Sequence, residues 1–166
     1  MRIRLPSAPA PMSPKSPRAP KPDAHPVRDA ADALFRAATE SCHQHERFTR
    51  VLKHGLDDLE LEGVAEVADL CDRIVAQATA RYEAMAAEGR GREDEAWWHA
   101  ANALWMAARE YTRRHAQSDA VATKLKRHGA AQLGEISVEY ELEMSARLAL
   151  RQALTSYAAI RPEAGA

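Results

Sequence analysis

Residues 93–129 read EDEAWWHAANALWMAAREYTRRHAQSDAVATKLKRHG. Within them Trp97, Ala100, Leu104, Ala108, Tyr111, His115, Ala122 and Leu125 recur every three or four positions. That spacing predicts one long helix with a single inward stripe. The acidic cluster Glu93-Asp94-Glu95 at the front and Lys124, Lys126, Arg127 and His128 before Gly129 complement a helix dipole at its two ends.

The same punctuation divides the rest of the chain. Lys53-His54-Gly55 is a helix stop, Asp57-x-x-Glu60 suits a reciprocal N-terminal cap, and Gly89-Arg90-Gly91 makes the next break. Four helices are expected, over about 28–54, 58–88, 93–128 and 130–160. Helix 1 aligns Leu34, Ala38, Cys42, His45 and Leu52. Helix 2 aligns Val64, Val67, Cys71, Ile74, Ala78, Tyr82 and Met85. Helix 4 aligns Glu135, Glu139, Glu143, Ala146, Leu150, Ala153, Leu154 and Tyr157. Similar lengths and short turns predict an all-α, antiparallel up-down-up-down four-helix bundle over 28–161.

Proline marks where the bundle gives out. Eight of the nine prolines fall in the first 26 residues, and the ninth is Pro162. Residues 1–27 are therefore expected to be a disordered, Pro-rich tail, and 162–166 a short C-terminal tail. The front tail holds Arg2, Arg4, Lys15, Arg18 and Lys21 against Asp23, so it carries +4. The whole chain carries −1, which leaves −5 on the body. An acidic body argues against a nucleic-acid partner, because phosphate binding needs clustered Lys and Arg. No run of about 18 apolar residues predicts a membrane span, and no apolar segment follows the N-terminal arginines as a secretory signal requires. The expected setting is cytoplasmic, with Cys42 and Cys71 reduced.

Helix 4 places carboxylates where a core stripe should be apolar. Glu135, Glu139 and Glu143 share the face of Leu150 and Tyr157, and buried charges need partners. Treating the turns near 56, 90 and 129 as mirrors puts His115 level with Glu143, His45 within a turn of both, and Cys71 beside Cys42. Cys42, His45, Cys71, His115, Glu139 and Glu143 are thus candidate ligands for zinc or iron inside the bundle. A purely structural layer of hydrogen bonds accounts for the same pattern, with Arg109 or Arg147 pairing the carboxylates. The Glu-x-x-His signature of di-iron bundles occurs once, at Glu40-x-x-His43, on the polar face of helix 1, with no second copy.

No phosphate loop, Cys-x-x-Cys or nucleophile-elbow motif is present. Trp98 and Trp105 lie seven apart, beside the main stripe of helix 3, with Asn102 and Arg109 at their border. They form a candidate partner surface. The first expectation is a non-enzymatic bundle acting through a protein partner or self-association, homo-oligomeric, with no nucleic-acid or membrane partner. The alternative is a metal-binding or metal-dependent redox bundle using the inward Cys, His and Glu set. A small-ligand site in the same polar layer is a third reading.

Overall fold

A computed structural model of the chain describes residues 25–54, 58–89, 94–128 and 133–161. The side chains of 58–59, 125–128 and 133–136 are not among those described. The disordered front tail expected over 1–27 lies almost wholly outside the described residues. So do the C-terminal tail, the three turn centres, and the side chains of Glu135 and Leu125.

Four α-helices and no strand make up the described residues: α1 Pro26–His54, α2 Asp58–Ala87, α3 Glu95–His128 and α4 Leu133–Ile160. None of them is long and apolar enough to cross a membrane. Local chemistry accounts for the ends. Pro26 opens α1 two residues before the expected start, where its fixed φ suits the first turn and its missing N–H is no loss. The Asp29 amide closes that turn on the His25 carbonyl at 2.9 Å. Asp94 caps α3: its Oδ2 accepts the Trp97 amide at 3.2 Å, which moves the helix start to Glu95. After α2, Gly89 takes φ 133°, a conformation that only glycine adopts without strain.

All four helices contribute to one core. Leu34, Ala38 and Cys42 of α1 meet Val75 and Tyr82 of α2, Leu104, Ala108 and Tyr111 of α3, and Ala146, Leu150 and Tyr157 of α4. The many small residues let the helices approach closely, and the large rings fill the remaining space. The most extensive contacts are between α1 and α2 and between α3 and α4. The α2/α3 and α1/α4 seams are much sparser, and both turn out to hold clefts.

Two expected stripes need correction. On α2, Val67 and Ile74 are exposed, and Ala68 and Val75 are buried in their place. The helix is turned by about one residue from its purely apolar phase, because Asp72 and Thr79 belong to its inward face. On α1, Leu52 is exposed, so burial stops near His45.

Candidate functional site

Residues four apart on a helix share a face. Three helices use that spacing to send a polar pair inward at one level: Ser41 and His45 from α1, Tyr111 and His115 from α3, Glu143 and Arg147 from α4. α2 supplies Asp72, at 5 % exposure; Ser41, His45, Tyr111 and His115 surround it, and Glu143 and Arg147 join through His115.

Asp72 Oδ1 accepts the Ser41 hydroxyl at 2.6 Å and the Tyr111 hydroxyl at 2.9 Å. Its Oδ2 faces His45 Nε2 at 2.7 Å and His115 Nε2 at 3.4 Å. The Tyr111 hydroxyl also lies 3.0 Å from His45 Nε2. The far nitrogen of His115, Nδ1, is 3.1 Å from Glu143 Oε1, and Arg147 donates to that same oxygen at 2.9 Å. The Arg147 guanidinium sits 5.5 Å above the Tyr111 ring, which is itself stacked on His115. A chain of polar contacts therefore runs from α1 through α2 and α3 to α4.

Burial pushes the Asp72 carboxyl up, but the hydrogen bonds from His45 and Ser41 and the two nearby histidines outweigh it and hold it below its ordinary value. Glu143 follows the same logic: burial raises it, and His115, helped by Ser118 and Arg147, more than offsets that. The Glu143 hydrogen bond keeps the His115 imidazole above its ordinary value, against the opposing effect of burial. Burial raises Tyr111 further, and Asp72 adds to the rise. All three shifts thus favour the charged forms: Asp72 and Glu143 as carboxylates and His115 protonated between them.

These shifts set a pH window for chelator-treated protein. The contribution of His115 is complete below its unfolded value of 6.5 and is lost as pH rises through its higher folded value. Asp72 and Glu143 contribute fully above 3.8 and 4.5, and lose that as pH falls through their lower folded values. The plateau of the network lies between pH 4.5 and 6.5. Thermal unfolding followed by circular dichroism is expected to give a melting temperature that declines on both sides of it. A melting temperature that climbs above pH 6.5 excludes this account.

Two clefts reach the network. One, of about 340 Å³ between α2 and α3, is lined by Asp69, Asp72, Asp119 and His115, with Arg73 as its one fixed cation. The other, of about 710 Å³, opens between α1 and α4 onto His45 and Arg147. At the first, ligand atoms of Asp69, Asp72 and His115 all lie within 4.8 Å of one another. Among the described residues they are the one set of three His, Cys, Asp or Glu side chains with that geometry.

Of the six ligands expected from sequence, His45, His115 and Glu143 enter the network, and only His115 belongs to the metal-sized set. Glu139 is one turn away and half-buried, 3.8 Å from Arg114. Cys42 and Cys71 are buried, and burial pushes both thiols up; neither joins the set. Glu40 and His43 face solvent. Trp98 and Trp105 are half-buried and packed against the core, so they form no open aromatic strip. Asn102 accepts the Tyr82 hydroxyl at 3.1 Å, and Arg109 lies 5.4 Å from the Trp105 ring.

Sequence reasoning passed over Asp72, Asp69, Ser41 and the hydroxyl of Tyr111. A signal for the central pair was present. The mirror arithmetic that sets Cys71 beside Cys42 also sets Asp72 beside Ser41, once α2 is turned by one residue. No family model, curated protein or solved structure matches this chain, so its site is read from its own geometry.

Proposed function

We propose that this chain is an up-down-up-down four-helix bundle that binds a divalent transition-metal ion, zinc or iron, at Asp69, Asp72 and His115. The topology is supported by pairs whose numbers rise on one helix as they fall on the next: Asp72–Tyr111 and Tyr82–Asn102, His115–Glu143 and Trp97–Tyr157. The observation that carries the metal reading is the setting of His115. Glu143 engages Nδ1, and Arg147 anchors Glu143, so Nε2 is aimed at Asp72 and Asp69. A carboxylate on the far nitrogen is how metal-bound histidines are commonly oriented and made more basic.

An imidazole with two carboxylates suits zinc or iron, and three protein ligands leave a position for water or substrate. The acidic α2/α3 mouth favours cation entry. Uptake displaces the Nε2 proton of His115, so affinity falls with acid. The partner-surface reading has less behind it, because the tryptophans are packed inward and Asn102 is already engaged.

The test is elemental mass spectrometry of tag-free protein, then zinc titration by calorimetry after chelator treatment. One ion per chain is expected. Asp69 is exposed, so Asp69→Ala is expected to leave unfolding free energy within about 0.5 kcal/mol. Glu143→Gln should weaken zinc binding by roughly 10- to 100-fold. No uptake by the stripped protein, or full affinity in both Asp69→Ala and His115→Ala, would sink the proposal.

A further inference from the structure

The larger cleft has the opposite character from the acidic one. It runs along the sparse α1/α4 seam, and the helices flanking it bring Arg50, Lys53, Arg147 and Arg151 to its walls against Glu46, the single carboxylate among the described lining residues. Arg151 bridges to Glu46 at 2.7 Å, and Arg147 is committed to Glu143. That leaves Arg50 and Lys53 with no carboxylate partner among the described residues. So concentrated a positive mouth on a body of net charge −5 is a local reversal of sign, and such a concave patch draws in anions.

The walls are not only charged. Met144 and Leu148 face the cleft and remain 41 % and 58 % exposed, although apolar neighbours on the same helix are buried. A volume of about 710 Å³ falls within the range of small-molecule sites, which pair apolar walls with a few placed polar groups. Arg147 Nε is shielded from solvent and has no acceptor. His45, at the inner wall, connects the cleft to Asp72.

From this combination we infer that the α1/α4 cleft binds a soluble small organic anion, its acidic group held by Arg50, Lys53 and Arg151 and its apolar part laid on Met144 and Leu148. The inference does not depend on the metal site, which opens on the other seam. Chelator-treated protein is expected to bind equally well.

The probe is 8-anilinonaphthalene-1-sulfonate, an aromatic anion whose fluorescence rises on burial, titrated into the full chain. One site per chain is expected, with octanoate displacing the probe and octanol, at the same concentration, failing to do so. Arg50 and Lys53 are exposed, so the double variant Arg50→Glu/Lys53→Glu should keep its circular dichroism and bind at least about tenfold more weakly. Leu148→Glu should behave alike, and Val67→Glu, on the exposed face of α2, should leave affinity unchanged. Unchanged affinity in the double variant overturns the inference. So does octanol competing as well as octanoate, equal loss in Val67→Glu, or binding to phosphatidylglycerol vesicles without displacement by octanoate.

Discussion

Asp72→Ala is expected to cost about 3–5 kcal/mol of folding free energy, the range for removing one partner from a buried ionic cluster. Ser41, His45 and Tyr111 lose their acceptor together, and His115 loses a carboxylate 3.4 Å from its Nε2. The Ser41 hydroxyl is left buried without an acceptor, and Tyr111 and His45 keep only each other, which costs more than the lost hydrogen bonds contributed. His115 loses one of its counter-charges and keeps Glu143 and Asp69. For a chain of this length the loss corresponds to a melting temperature roughly 10–15 °C lower. Asp72→Asn preserves an oxygen for Ser41 and Tyr111 but not the charge facing the two histidines, so it should fall near half that loss. Measured in chelator, the pair of variants separates hydrogen bonding from charge. A change of only a few degrees in Asp72→Ala would mean that water or a neighbouring carboxylate replaces it, and the central role given to Asp72 would be wrong.

Tyr157→Ala should match it at about 3–5 kcal/mol, by a different mechanism. Tyr157 is fully buried. Its ring meets Phe35 at 5.5 Å and Trp97 at 6.3 Å, and its hydroxyl donates to Asp32 at 2.9 Å. The side chain thus ties the end of α4 to the beginnings of α1 and α3. Truncation leaves a cavity that the surrounding rings are too rigid to fill. Tyr157→Phe keeps the ring and gives up only the hydroxyl, and Asp32 still has Arg161 at 3.1 Å. It should cost about 1 kcal/mol. Urea unfolding with an unchanged denaturant slope is the measurement. Equal losses in the two variants would place the energy in the hydrogen bond and refute the packing argument.

The two mouths of the network differ in sign. Asp69, Asp72 and Asp119 make the α2/α3 side acidic, and Arg50, Lys53 and Arg151 make the α1/α4 side basic. Between them lie His45, Asp72 and His115.

Much of this arrangement was legible along the chain. The absence of proline over 27–161, the acidic starts and the glycine stops each act on the nearest turn of backbone. Four helices and their approximate ends follow from them without knowledge of the neighbours. His45 and His115 were also readable as inward, because the apolar stripes of α1 and α3 each have one phase and these residues lie on it; Glu143 shares the face of Leu150 and Tyr157, but a slip of one or two residues in phase would have exposed it. α2 is different. Val67, Leu70 and Ile74 on one arc and Val64, Ala68 and Val75 on another both fit a helical period, so hydrophobicity alone leaves two rotations open. The packed structure selects the second. Ser41 and His45 on one side and Tyr111 and His115 on the other face an inward Asp72. Local patterning determined that there are four helices and which of their histidines face in. The rotation of α2, and with it the acceptor that joins those histidines, was decided only when donors from different helices came within hydrogen-bonding distance of one carboxylate.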